Sequence, residues 1–285
     1  MVTEPLRCDT DGRVRVITLT RADEYNTINP ALRDALADAL DEAEHDRGVN
    51  AVLVRAEGPA FCAGYQRDWA TSGQAETEAA GGRVWDSVAD LQGIGTYANT
   101  WAKLHTMSKP TIAAVQGWCI AGGTNMVLNA DLIVCSESAR FGYPPMRVWG
   151  IPEAPWLWIA RLGLERAKRY LFTGDELTGT EAASLGLVLE CVADDQLDQH
   201  ALDLARRIAR LPLEQLQMIK WALNETAREM YAPDSSRMLG CLFDGVARHT
   251  QEGLDFVARS VDAGFRQAVR ERDDPFGDYG SRPRS

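Results

Sequence analysis

The sequence predicts an α/β core followed by a helical C-terminal region. Up to about residue 190, short β-branched or apolar runs alternate with segments of helical period. From Asp194 onward only the helical period recurs. The chain of 285 residues, 45% hydrophobic and 25% charged, is large enough for a substantial buried core.

Each element follows from local pattern. Val14–Thr20 alternates and is β-branched, as a strand should be. Asn29 and Pro30 open the first helix as cap and first-turn residue, with Leu32, Leu36 and Leu40 on one face. Val49–Arg55 is nearly all apolar, the pattern of a strand covered on both sides. Gly58–Tyr65 reads as a turn-rich loop, and the small, polar residues 71–83 as a mobile surface loop or lid. A helix is expected from about Gly93 to Met107, then a strand at 111–116, a helix opened by Gly122 and Gly123, and a strand at Leu132–Cys135. Beyond Asp194 the helical repeats are Leu197, Ala201, Leu204, Ile208, Leu211, then Leu213, Leu216, Ile219, Ala222, Leu223, and near the end Leu254, Val257, Val261, Phe265. The residues from Arg272 to Ser285 read as an irregular surface tail. The expected division is a core over 1–193 and a helical packing or oligomerisation region with tail over 194–285.

Charge and cysteine usage narrow the function. A net charge of −11 disfavours nucleic acid and anionic membrane surfaces as partners. No apolar run approaches the roughly 20 residues that span a bilayer, and the N-terminus shows no signal-peptide pattern. Cys8, Cys62, Cys119, Cys135, Cys191 and Cys241 are scattered without a C-x-x-C pair, and the four histidines form neither metal spacing nor a triad pattern. A reduced, cytoplasmic enzyme without a metal is the expectation.

The chemistry concentrates in two segments. Thr111–Asn125 reads as a buried strand, a turn, then Gly122 and Gly123 opening a helix, where uncovered N–H groups can hold developing negative charge. Phe61-Cys-Ala-Gly-Tyr65 likewise follows a buried strand and a turn. On adjacent strands the two would aim two N–H groups at one oxygen, such as that of a thioester becoming an enolate. Thr124 and Asn125 come next, and neither is a general base.

With these segments stand Leu19-Thr-Arg21, Lys109-Pro-Thr-Ile-Ala-Ala-Val-Gln-Gly117, Ala130-Asp-Leu-Ile-Val134, Ala139-Arg-Phe-Gly142, Leu171-Phe-Thr-Gly-Asp-Glu176 and Ala182-Ala-Ser-Leu-Gly-Leu-Val188. In this order, over nearly the whole chain, they resemble the crotonase (enoyl-CoA hydratase/isomerase) superfamily. The resemblance implies a ClpP/crotonase-like spiral of ββα units with a C-terminal helical trimerisation region, assembled as a homotrimer or dimer of trimers. It implies an acyl-CoA thioester substrate, with coenzyme A part of the substrate and no separate cofactor. The oxyanion donors would be the N–H groups of Tyr65 and Gly122. Ala63, Tyr65, Gln66, Arg67, Asp68, Gly122 and Gly123 match the stretches that line the acyl-CoA site. Arg21 and Arg67 would either hold CoA phosphates or be solvated charges. Asp68 would face substrate or pair with a neighbour.

The chain departs from the hydratase pattern at two places. Hydratases of the family place glutamates after the glycine pair and in the Phe-Gly-x-Pro-Glu stretch, where they hold a water and move its proton. Here those positions hold Asn125 and Pro145. Glu153, in Gly150-Ile-Pro-Glu-Ala-Pro155, falls where related isomerases and dehalogenases carry a catalytic aspartate, and it would act as acid/base or else cap the helix beginning near Ala154. Arg147 would bind a substrate carboxylate or form an ion pair that orders its loop, and Tyr143 lies on the same segment. Trp149, Trp156 and Trp158 would line a bulky acyl pocket or pack the core. His105 reads as structural. The expected activity is enolate chemistry with Glu153 as acid/base and slow hydration of crotonyl-CoA. The alternatives are a non-catalytic acyl-CoA-binding protein, a CoA-thioester hydrolase or decarboxylase, and, against the acidic balance, an RNA-binding member of the fold.

Overall fold

Two strands pairing at Gly12, where φ is +58°, start the chain: β1 (Leu6–Asp11) and β2 (Val14–Leu19) form an antiparallel hairpin. The computed structural model describes residues 4–66 and 85–279, so the expected lid at 71–83, Arg67 and Asp68 lie outside the described residues. Helix α1 (Pro30–His45) starts as predicted, with Asn29 accepting from Leu32 N–H at 2.9 Å and Leu32, Leu36 and Leu40 buried. It returns the chain to β3 (Ala51–Ala56), parallel to β2. Next come β4 (Ala60–Cys62), α2 (Ser87–Thr106), β5 (Thr111–Val115), β6 (Trp118–Ile120), α3 (Gly122–Val127), β7 (Leu132–Ser136) and β8 (Arg140–Gly142).

From β3 to β8 consecutive strands alternate between two sheets. One has the order β1-β2-β3-β5-β7-β10, with β10 at Glu190–Val192, and the other β4-β6-β8-β9, with β9 at Leu177–Thr178. The pairs β3/β4, β5/β6 and β7/β8 each give one strand to each sheet, so the chain advances as a spiral of ββ units with helices between them. Helices α4 (Pro155–Leu162), α5 (Leu164–Thr173) and α6 (Gly179–Leu185) complete this core.

Helix α2 begins well before the expected Gly93. Asp86 caps it, its side chain accepting from Val88 and Ala89 N–H, and a buried face of Ile94, Tyr97, Trp101 and Leu104 outweighs the cost, about 1 kcal/mol each, of two interior glycines.

The C-terminal region is helical as expected: α7 (Leu197–Ala209), α8 (Leu213–Tyr231), α9 (Pro233–Arg248), α10 (Gln251–Ala263) and α11 (Phe265–Asp273). Leu197, Ala201, Ala205 and Ala209 pack α7 on the larger sheet. Of the apolar residues expected to line α8, Leu216 is buried while Ile219 and Leu223 are exposed. The tail expected at the surface is in part interior: Asp273 and Asp278 are buried around Arg147. Among the described residues no helix is long and apolar enough to cross a membrane.

Candidate active site

β4, β6 and β8 run parallel, with a register shift between Ala60 and Cys62 that sets Cys62 beside Cys119, and with Ile120 beside Gly142. Their carboxyl ends therefore share one edge, the usual place for a ligand on parallel strands. The residues that follow them are Ala63-Gly64-Tyr65, Ala121-Gly122 and Tyr143. The two glycine segments touch: a Cβ on Gly64, whose φ is +93°, would stand 3.1 Å from Ala121 Cβ and 3.7 Å from Gly122 N. Ile28 N–H donates to Gly64 O and Gln66 N–H to Ile28 O, both at 2.8 Å, a parallel bridge that turns the Tyr65 N–H to the side away from Ile28. Ala121 enters α3 at φ +52° and ψ −119°, a backbone state that an alanine holds only under constraint. A Cβ on Gly122 would lie 2.8 Å from the Tyr65 ring, and one on Gly123 only 2.2 Å from Cys62 O, so neither position admits a side chain without movement.

A cavity of about 570 Å³ opens at this edge. Ala63, Tyr65, Gln66, Tyr143, Pro145, Trp149 and Glu153 line it. Ile94 and Tyr97 of α2, Asp244 and Arg248 of α9, and Phe265 and Val269 of α11 close it. The C-terminal helices thus cover the site of their own chain, which their sequence did not reveal.

Glu153 is 3% exposed and does not cap α4. Ala154 is the residue before that helix and makes no side-chain cap. The Glu153 carboxyl instead accepts a hydrogen bond from the Tyr65 hydroxyl. Burial, reinforced by the charge of Asp244, pushes its pKa up to about 8, while the Tyr65 and Asn125 side chains favour the ionised form. Burial also holds the Tyr65 phenol well above its usual range, so it remains a donor. Glu153 Oε2 and Asn125 Nδ2 are buried without a hydrogen bond of good geometry. One residue, Tyr65, so connects the glycine segments to the carboxyl: its backbone belongs to the first and its hydroxyl holds the second.

Other expected site residues divide. Pro145 and Trp149 face the cavity, Trp149 with its ring 5.3 Å from that of Phe256. Trp156 and Trp158 are core residues, the former against His105 at 5.2 Å. His105 is structural, burial pulling its pKa down. Arg21 is neither a solvated charge nor part of the cavity wall; its guanidinium, 9% exposed, braces its own turn by donating to Thr27 O at 2.5 Å, Glu24, and Gln66 Oε1 at 3.3 Å. Arg147 forms ion pairs with Asp273 at 2.9 Å and Asp278 at 2.8 Å, and lies 3.9 Å from the Phe276 ring centroid, so it orders the loop. Asp244 and Tyr97 are cavity residues that sequence reasoning missed. An acid or tyrosine on an amphipathic helix carries no local sign of which neighbour it will face.

The enoyl-CoA hydratase/isomerase family profile matches residues 9–258. A solved enoyl-CoA hydratase from Mycobacterium smegmatis is 40% identical with a TM-score of 0.90, over 97% of this chain and 95% of that one. The 2,3-dehydroadipyl-CoA hydratase of Escherichia coli (strain K12) is 30% identical over 216 residues, 75% of this chain and 79% of that protein. The hydroxycinnamoyl-CoA hydratase-lyase of Pseudomonas fluorescens is 27% identical over 249 residues, 82% of this chain and 86% of that protein.

Proposed function

The chain belongs to the enoyl-CoA hydratase/isomerase family, and from that premise we propose that it binds an acyl-CoA thioester, stabilises its enolate between the N–H groups of Tyr65 and Gly122, and moves the Cα proton with Glu153. The observation that carries this reading is the buried Glu153 carboxyl, held by the Tyr65 hydroxyl in the cavity beside both glycine segments. In the enolate the negative charge rests on the thioester oxygen, where two backbone donors act most strongly. Glu153, protonated below about pH 8, gives its proton to Cα as the oxygen's electron pair reforms the carbonyl. In the reverse direction the carboxylate removes the same proton.

Asn125 and Pro145 stand where the hydratase pattern has glutamates, and neither moves a proton. Glu153 is then the proton carrier, and hydration of a simple enoyl-CoA is slow. Tyr97, Tyr143, Trp149 and Phe265 on the cavity wall support a flat, ring-bearing acyl group. The hydroxycinnamoyl-CoA named for the Pseudomonas fluorescens relative has that shape.

The test is turnover of a panel of aryl- and alkyl-propenoyl-CoA thioesters. Glu153→Gln lowers kcat/KM by about 10²–10⁴-fold on the best substrate. In the direction that protonates the enolate, wild-type kcat/KM falls as pH rises through about 8, the free-enzyme value of Glu153. A Gln variant with full turnover would remove Glu153 from the mechanism.

A further inference from the structure

Asp244 lies on α9, far in sequence from both glycine segments, yet it lines the same cavity as Glu153. Its Oδ1 accepts from Ile151 N–H at 3.1 Å, two residues before Glu153. Its Oδ2 accepts from Arg248 Nε at 3.2 Å, one turn along the helix, and Arg248 Nη2 reaches both oxygens of Asp90 on α2 at 2.8 Å. Helix α9 also lies against the backbone of the Glu153 loop. A Cβ on Gly240 would come within 2.5 Å of Pro152 O and 2.7 Å of Glu153 O, so only glycine permits that approach.

We propose that Asp244 is a positioning residue for Glu153: its carboxylate fixes the Ile151 amide, and with it the loop that aims Glu153, and places a carboxylate in the cavity that the Glu153 carboxyl faces. The inference rests on Glu153 as the proton carrier and adds where its protonation state is controlled. The groups facing Glu153 come from five elements. The Tyr65 hydroxyl and the Asn125 amide favour its ionised form. Tyr97 on α2 and Tyr143 after β8 are phenols held protonated, and Cys241 on α9 is a thiol pushed up to about 12. Asp244 is the one of these groups that carries a charge at neutral pH. Burial lifts it to about 6, and Arg248 keeps it from rising further. Two carboxyls whose titrations are pushed apart in one cavity are a recurrent acid/base arrangement.

The test reads protonation and not turnover. The protonated carboxyl stretch is followed by infrared difference spectroscopy across a pH titration, with the Glu153 signal assigned by its loss in Glu153→Gln. Asp244→Asn keeps an acceptor for Ile151 N–H and removes the charge. The Glu153 midpoint is expected to fall by about one unit in this variant. Asp244→Ser removes the same charge and leaves a hydroxyl acceptor, and gives the same result if the Asn variant does not fold. A midpoint within roughly 0.3 units of wild type in a folded variant overturns the proposal. A Glu153→Gln enzyme with full turnover would defeat the proposed function and leave this titration result standing.

Discussion

Glu153 is a carboxyl whose folded-state pKa, about 8, lies above the ordinary 4.5. The native state therefore binds its proton more tightly than the unfolded chain does. The stability this supplies is complete below about pH 4.5 and is lost as pH rises through about 8. Glu153→Gln keeps an acceptor for the Tyr65 hydroxyl and removes the titration. In denaturant unfolding its stability relative to wild type should grow between those pH values, by up to about 5 kcal/mol, and level off above them. A difference that does not vary with pH would show that the carboxyl is solvated. At this scale much was legible. Gly64, Gly122 and Gly123 announce a close approach of two turns, and Glu153 stands out once Asn125 and Pro145 leave no other base nearby. The choice between cap and site for Glu153 was not legible, because both readings place it one residue before Ala154 and only the folded loop shows which way it points. Asp244 was hidden for the same reason.

Between elements, Arg147 is the main tie. It sits in the 3₁₀ turn Pro144–Arg147, which leads into the Glu153 loop, and it gathers Asp273 at the end of α11 and Asp278 beyond it. Its side chain is 2% exposed and those of its partners 3% and 1%. Removing one member of such a buried network leaves charge without compensation, so Arg147→Met should cost about 3–5 kcal/mol in denaturant unfolding. A loss within about 1 kcal/mol would show that the network is solvated. The sequence pattern located β2, β3, β5 and β7 and most helices because burial imposes periods of 2 and 3.6 that can be counted, whereas β4 and β6, three residues each, are too short to show a period and read as turns. It mislaid the start of α2, where the cap at Asp86 and the buried face override two glycines. It also sent the tail to the surface, since a run of Asp, Arg, Pro and Gly has no period and its burial depends on a distant arginine.

From β3 to β8 the chain gives a strand to each sheet in turn; the alternation of apolar and helical runs foretold an α/β core, and the spiral itself was implied only by the family resemblance. What lies outside the chain was readable only in outline. Met218, Ile219, Trp221 and Leu223 on α8, and Met238, Leu239, Phe243 and Val246 on α9, are exposed apolar side chains. Surfaces of that kind are rare on monomers, and the family resemblance implies trimers. Sedimentation should therefore give a trimer or dimer of trimers, and a monomer at micromolar concentration would contradict it. The proposed function requires that a thioester enolate form here and that Glu153 carry its proton. Deuterium uptake at Cα of a saturated arylpropanoyl-CoA in D₂O, read by mass spectrometry, measures that step without requiring the natural product. The wild-type protein should catalyse the exchange and Glu153→Gln should slow it by about 10²-fold or more. Tight thioester binding without exchange, or equal exchange in the variant, would contradict the account.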